Sequence, residues 1–206
     1  LALSERVWVD GFDSEPKGSV RYAMQVESFP YREYLVAPGN QPELPEAGLL
    51  AFEALRIAAG RPEITDIDER SLPHEFDWMS TAVHMSKGCY RGQETVAKVH
   101  NLGHPPRRLT FLHLDGSGHA LPEAGDEIFI EGNASARGKI TSVGQHHEMG
   151  PIALALLFRA VPEDATLIVR TSLGDLAASQ EVIVPQSAGK ANDIPKIPKL
   201  LMGGKH

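Results

Sequence analysis

The sequence is short of three features: it has one cysteine, no long apolar run, and fewer basic than acidic residues. A single cysteine excludes an internal disulfide, and without a long apolar run there is no pattern of a membrane span or a secretory signal. The 27 acidic residues exceed the 20 basic ones, and the net charge of -7 gives no general attraction to nucleic acid phosphates or anionic lipids. These shortages predict a cytoplasmic protein that binds neither nucleic acid nor membrane.

The composition is otherwise that of a folded protein. Apolar residues make up 42% and charged residues 23% of the 206 residues, which is close to the globular average and enough for one large or two small domains. Residue 1 is leucine rather than methionine, and strand-like alternation begins at once. We therefore expect the chain to be the later part of a longer polypeptide, from which a targeting segment could have been lost.

The first 105 residues predict a mixed α/β portion. Apolar and polar residues alternate over 19–29, and shorter alternation over 6–12 and 33–37 also predicts strands.

Helical spacing of apolar residues predicts a helix over 46–59, and a second helix is expected over 93–99. Residues 63–85 have no sustained period and predict a long loop, with a short strand over 82–85.

The C-terminal half has the pattern of an antiparallel barrel. Gly, Pro and Asp turns separate six short apolar stretches, which predicts a small β barrel over 106–186. The predicted strands cover 107–114, 126–131, 136–144, 152–160, 165–171 and 180–185. Residues 187–206 contain Pro, Gly and Lys without periodicity and predict a flexible tail. The expected fold class is therefore α+β, with a mixed α/β portion followed by the barrel.

Cys89 stands between two glycines, with Lys87 and Arg91 on either side. These cations, and the positive end of the helix expected to start near Gly92, favour the thiolate that nucleophilic or redox chemistry requires. Gly88 and Gly92 leave room for a ligand to approach the backbone. A buried, purely structural cysteine is the alternative, and the local sequence leaves both interpretations open.

Histidines near Cys89 raise the question of a metal site. The candidate ligands within 21 residues are His84, Cys89, His100 and His104. One thiol with scattered histidines matches none of the structural zinc spacings, so we expect no metal. His146 and His147 are expected to be solvated turn residues.

Residues 87–94, the signature segment, read KGCYRGQE and match in full the K-G-C-[YF]-x-G-Q-E pattern of the YgfZ proteins. These proteins are folate-binding relatives of the glycine-cleavage T-protein. "ALRIAAGRP" resembles the "LRIEAGIP" helix end upstream of that pattern, and "RRLTFLHLDG" and "GKITSV…GPIALALLFRA" resemble strands of the family's C-terminal barrel. The likeness covers residues 47–185 well and 1–40 loosely.

The resemblance implies a GcvT/YgfZ-like fold and a protein that binds tetrahydrofolate and supports synthesis or repair of iron–sulfur clusters. It makes Cys89 the functional thiol, with Lys87 and Arg91 as electrostatic tuners. The cofactor-binding residues that it implies are Arg56, Tyr90, Gln93 and Glu94, although local sequence explains the last two as ordinary residues of a helix start. The implied partners are folate and iron–sulfur client or assembly proteins.

Two departures from the family's pattern bear on the folate site. Ala58 stands where many relatives have glutamate, and the N-terminal subdomain that supplies much of the family's folate cavity is expected to be absent. The T-protein lacks the cysteine pattern, so Cys89 favours the YgfZ branch and enzymatic turnover is not implied. An aminomethyltransferase-like enzyme remains one alternative. A scaffold that binds a client through the barrel and tail, with Cys89 only structural, is the other.

Overall fold

The chain folds into a small sheet and two helices that precede a closed β barrel. This computed structural model describes residues 6–11, 19–23, 29–41, 43–118 and 121–189. The predicted α+β class, a mixed α/β portion followed by an antiparallel barrel, is confirmed. The boundaries predicted after residues 105 and 186 stay predictions, and most of the predicted tail lies outside the described residues.

A two-stranded antiparallel sheet opens the α/β portion. Strand β1 (Arg6–Val9) pairs with strand β2 (Arg32–Leu35), in the two places where short alternation predicts strands. The pairing continues beyond the strands, since the Asp10 N–H donates to the Tyr31 carbonyl at 3.0 Å. Trp8 and Tyr31 consequently meet edge to face, with 5.5 Å between their ring centroids.

The strand predicted over 19–29 is wrong for the residues that the structure describes there. Residues 19–23 form no strand, and residues 24–28 lie outside the described part of the chain. The backbone N–H groups of Tyr22 and Ala23 donate to the Asp77 carboxylate, at 2.7 and 3.0 Å. A side chain far along the sequence thus takes the hydrogen bonds that a neighbouring strand would have accepted.

Two helices flank an irregular segment, as the sequence predicts. Helix α1 (Leu49–Ala58) starts later than expected, and helix α2 (Gln93–Leu102) ends later than expected. Between them lie two 3₁₀ turns, Ile64–Asp66 and Pro73–Phe76. Within the described ranges, neither helix is long and apolar enough to cross a bilayer.

Six strands close into the predicted barrel. They are β3 (Arg107–Leu114), β4 (Glu127–Ile130), β5 (Gly138–His146), β6 (Gly150–Phe158), β7 (Leu167–Thr171) and β8 (Gly174–Val182). Neighbouring strands are antiparallel in the order β3-β6-β5-β4-β7-β8, and β8 closes the barrel by pairing with β3.

Two further strand predictions need correction. The strand expected over 82–85 is absent, because this stretch forms turns and the Ala82 N–H donates to the Trp78 carbonyl at 2.8 Å. The last barrel strand begins at Gly174, well before the predicted 180–185. It starts there because a tight hairpin pairs Gly174 directly with the end of β7, a local turn effect that the sequence "GDLAAS" does not reveal through β-branched residues.

Strand β6 is buried on both faces, which explains its continuous apolar run. Into the barrel interior point Ala153, Ala155 and Leu157. A second core lies between the barrel wall and the α/β portion, where Ile57 of α1 and Phe76 pack against the alternate residues of β6, Ile152, Leu154 and Leu156. The α/β portion is therefore seated on the outside of β6.

Helix α1 approaches the barrel closely at one glycine of β5. A Cβ atom on Gly144 would lie 3.1 Å from Ile57 Cδ1 and 3.2 Å from the Ala54 Cα. Even an alanine at this position would require Ile57 or the α1 backbone to move by a few tenths of an ångström, and α1 borders a candidate site described below.

Candidate functional site

Cys89 lies exposed on the loop that leads into α2. Residues 86–89 are all exposed, which excludes the alternative of a buried packing cysteine. Gly92 ends the loop in the left-handed region, with φ of 86°, a conformation that glycine adopts without strain. Because α2 begins at Gln93, the positive end of its dipole follows the thiol by four residues in the chain.

The other residues of the signature segment contact one another. The Tyr90 N–H donates to Gln93 Oε1 at 3.3 Å, and the Gln93 N–H donates back to the Tyr90 carbonyl at 3.2 Å. Lys87 Nζ lies 4.9 Å from the centroid of the Tyr90 ring. Arg91 and Glu94 are exposed. The loop is thus closed by its own polar groups, and the Lys87 charge lies over an aromatic face.

An open depression of about 520 Å³ lies along the first turn of α2. Its lining residues are Tyr90, Gly92, Gln93, Glu94 and Ala97. The structure therefore brings together three of the four residues predicted to bind cofactor, with Cys89 on the adjoining loop. The fourth, Arg56, is not part of this depression.

Arg56 is buried between α1 and the barrel. All five of its N–H groups donate to protein acceptors, at 2.6 to 3.2 Å. The acceptors are the side chains of Glu53, Asp66 and Ser142 and the Arg61 carbonyl. A ligand could accept an N–H from Arg56 only by displacing one of these bonds. That Arg56 contacts the cofactor stays a prediction.

Arg56 also borders a second cavity, the aromatic cleft, of about 240 Å³. Four rings line it, those of Trp8, Phe29, Tyr31 and Phe52. The charged lining residues are Asp10, Glu33 and Glu63 with Arg56 and Arg61. The cleft therefore combines flat apolar surfaces with carboxylates, a composition suited to a planar ligand that carries N–H groups.

Tyr31 lies among the other three rings of the aromatic cleft. Its ring centroid is 5.2 Å from that of Phe52, 5.5 Å from that of Trp8 and 6.2 Å from that of Phe29. The Tyr31 hydroxyl donates to the Glu33 carboxylate. Burial, together with this bond, raises the pKa of Tyr31 to about 12, so the hydroxyl keeps its proton at neutral pH.

Sequence reasoning missed the aromatic cleft, because its rings come from three separate segments. Trp8 lies on β1, Tyr31 precedes β2, and Phe52 lies on α1. Their alternation and helical spacing predict strands and a core helix, which explains each ring without a ligand. The one available signal was the number of aromatic residues on two short strands.

The residues considered as metal ligands lie in different surroundings. His84 Nδ1 accepts a backbone N–H, His100 Nδ1 is bonded to the Tyr22 hydroxyl, and His104 Nδ1 lies 2.7 Å from the Ala188 carbonyl. In the part of the chain that the structure describes, no three His, Cys, Asp or Glu side chains are grouped so as to hold a metal ion.

One histidine of the barrel differs from its prediction. His146 is buried rather than solvated, and its Nδ1 accepts the backbone N–H groups of Glu148 and Met149, both at 3.2 Å. His147 is exposed, as expected. His146 therefore shapes the turn between β5 and β6.

Sequence comparison places the chain among known proteins, although no family model matches it. A chloroplastic protein of Arabidopsis thaliana named as a candidate transferase is 36% identical over 99 residues. The tRNA-modifying protein YgfZ of Edwardsiella ictaluri is 31% identical over 136 residues, and the mitochondrial iron-sulfur cluster assembly factor IBA57 of Mus musculus is 31% identical over 139 residues. The matches cover 46%, 64% and 64% of this chain, but only 21%, 39% and 36% of the relatives. The chain thus spans less than half the length of these relatives.

Structural comparison identifies the fold. The glycine cleavage system aminomethyltransferase T from Bartonella henselae matches with a TM-score of 0.52 and 21% identity, over 65% of this chain and 37% of that chain. At this identity the likeness shows the fold alone. The relatives named YgfZ and IBA57, together with the fold of aminomethyltransferase T, support the YgfZ/GcvT-like family that residues 87–94 predict.

Proposed function

We propose that the protein supports iron–sulfur cluster assembly or repair through Cys89 and binds a reduced folate in the aromatic cleft, whose lining includes Arg56 but not Tyr90, Gln93 or Glu94. The observation that carries the proposal is the exposure of Cys89 on a loop that ends in a left-handed glycine at the start of α2. A relative named as an iron-sulfur cluster assembly factor supports the same role.

The surroundings of Cys89 suit a working thiol. A thiolate is the nucleophile and the soft metal ligand, and it must be accessible to a partner. Cys89 is exposed, Arg91 is an exposed cation two residues away, and the N-terminus of α2 follows. A client protein or a cluster iron can therefore reach the Cys89 sulfur from solvent.

The aromatic cleft suits the pterin ring of a folate. A cavity of about 240 Å³ holds a bicyclic ring but is smaller than usual for a whole drug-sized ligand, so the rest of the folate would extend outside. Tyr31 and Phe52 offer flat surfaces for stacking, and the Glu33 and Glu63 carboxylates offer acceptors for pterin N–H groups. When bound, the reduced pterin supplies nitrogen atoms that can carry a one-carbon group.

The partner we propose is an iron–sulfur protein rather than RNA. One relative is named as a tRNA-modifying protein, but a net charge of -7 opposes direct binding to tRNA phosphates. An effect on tRNA would then arise through an iron–sulfur enzyme. A reducing compartment such as the cytoplasm fits a protein whose one thiol is exposed.

Changing Cys89 to Ser at the native gene tests the role of the thiol. Serine is close in size, and at an exposed position its hydroxyl reaches water, so the melting temperature should be unchanged while the activity of a dependent iron–sulfur enzyme falls. Ser86→Ala is the matched control, because it alters an exposed side chain of the same loop and keeps the thiol. A variant that melts normally and keeps full enzyme activity would show that the thiol is not the working group. Equal losses of stability and activity would indicate a structural cysteine.

A further inference from the structure

Helix α2, which carries the end of the signature segment, has little apolar anchoring. Of its 10 residues only Val96 is buried, and Leu102 at its end is exposed. A helix this short is marginal in isolation, because too few hydrogen bonds offset the entropy of nucleation. The position of α2 therefore depends on a few specific contacts.

One of these contacts is a hydrogen bond between His100, in the last turn of α2, and Tyr22. Burial, followed by the charge of Asp77, raises the pKa of Tyr22 to about 12, so at neutral pH the phenol keeps its proton. Burial also lowers the pKa of His100, so its ring is neutral at pH 7. The Tyr22 hydroxyl therefore donates to Nδ1, and the imidazole proton resides on Nε2.

Tyr22 is itself held in place by two fully buried residues, Asp77 and His74. Its N–H donates to Asp77 Oδ1 at 2.7 Å, and its ring stacks on His74 with 5.8 Å between centroids and 23° between planes. Asp77 ends the second 3₁₀ turn in the left-handed region, with φ of 57°, and the chain changes direction at this residue. Burial, together with nearby His100, lowers the pKa of His74 to about 4, so the ring under Tyr22 is neutral.

We propose that Tyr22 and His100 form a latch that positions α2 and, through it, the signature segment. His100 is seven residues from Gln93, or about 10 Å along the helix at 1.5 Å per residue. A bond at the far end of so lightly packed a helix fixes the direction in which its N-terminus points. Tyr22 and His100 are positioning residues, and the importance of that positioning for Cys89 rests on the proposed function.

Hydrogen exchange of the α2 amides tests the latch directly. Tyr22→Phe removes the donor and His100→Gln moves the acceptor, so each should speed exchange across α2 about five- to tenfold while the barrel amides keep their protection. His100→Asn places an oxygen near the position of Nδ1 and should restore most of the protection. Tyr34→Phe is the matched control, since it removes a phenol hydroxyl from an exposed strand. Unchanged α2 exchange in Tyr22→Phe, or an Asn variant no better than the Gln variant, would overturn the proposal.

Two spectroscopic measurements separate the latch from a general loss of stability. Nitrogen NMR of His100 should show the Nε2–H tautomer in the native protein, and the amide resonances of residues 86–94 should shift in Tyr22→Phe but not in His100→Asn. The opposite tautomer, or unmoved amide resonances in Tyr22→Phe, would contradict the latch. If Cys89→Ser leaves the iron–sulfur enzyme active while Tyr22→Phe still loosens α2, the proposed function fails and the latch stands.

Discussion

Arg107, the first residue of β3, donates to both carboxylate oxygens of Asp68, at 2.7 and 3.1 Å. The same guanidinium donates to both oxygens of the fully buried Glu75, at 3.0 and 2.9 Å. One barrel residue thus anchors the irregular segment between α1 and α2. The same segment supplies His74 and Asp77, the buried residues that contact Tyr22.

Replacing Arg107 by Gln should cost about 3–5 kcal/mol, because the buried Glu75 carboxylate loses its partner. Asp68→Asn should cost only about 1 kcal/mol, since Asp68 is partly exposed. Lys139→Gln is the control: its Nζ lies 3.4 Å from the Asp68 carboxylate but is solvated, so the loss should stay within about 0.5 kcal/mol. Denaturant titration measures all three. Similar losses for Arg107→Gln and Lys139→Gln would contradict the view that buried Glu75 depends on Arg107.

The contact between Arg107 and Asp68 also predicts a dependence of stability on pH. Hydrogen bonds from Arg107 hold the pKa of Asp68 below its usual range. A carboxylate with a lowered folded-state pKa contributes stability that is fully present above the unfolded pKa of about 3.9 and is lost as pH falls through the folded pKa. The difference in unfolding free energy between the native protein and Asp68→Asn should therefore be flat from pH 7 to 5 and shrink below about pH 4. A difference that varied mainly between pH 5 and 7 would point to another group.

The aromatic cleft predicts an optical signal for folate binding. Trp8 lines the cleft, whereas Trp78 stacks on Phe76 elsewhere, so in a Trp78→Phe background tetrahydrofolate should quench the remaining fluorescence. Tyr31→Leu removes a stacking surface and should raise the dissociation constant about tenfold, equivalent to ~1.4 kcal/mol of binding free energy. Tyr34→Leu, on β2 but outside the cleft lining, should leave it unchanged. Thermal stabilisation without quenching would place the folate site elsewhere. The absence of both at millimolar ligand would rule out folate binding.

Elements with a strong local pattern could be predicted from the sequence, and those fixed by distant groups could not. The continuous apolar run of β6 correctly predicted a barrel strand, and Gly92 correctly predicted the start of α2. Residues 19–23 failed because the Asp77 carboxylate, remote in sequence, accepts their N–H groups. The aromatic cleft could not be predicted for the same reason, since its rings come together only when β1, β2 and α1 pack against one another. Cys89, by contrast, lies within a continuous segment, so its position on an accessible loop before a helix could be predicted.

The two glycines that flank Cys89 make different structural demands, and substituting each should separate folding from partner access. Gly92 has φ of 86°, so Gly92→Ala should cost about 1–2 kcal/mol and loosen the start of α2, as circular dichroism melts and hydrogen exchange would show. At Gly88 a Cβ would meet nothing within 4 Å, and the backbone has no positive φ, so Gly88→Ala should melt normally.

If a client or ligand approaches the backbone beside Cys89, Gly88→Ala should nevertheless lower iron–sulfur enzyme activity when introduced at the native gene, because the added methyl group occupies the path of approach. The effect should be smaller than that of Cys89→Ser, since a methyl group obstructs contact without removing the thiol. Full activity in Gly88→Ala would show that no partner comes close at this residue. A stable Gly92→Ala would show that the left-handed conformation of the loop is not required.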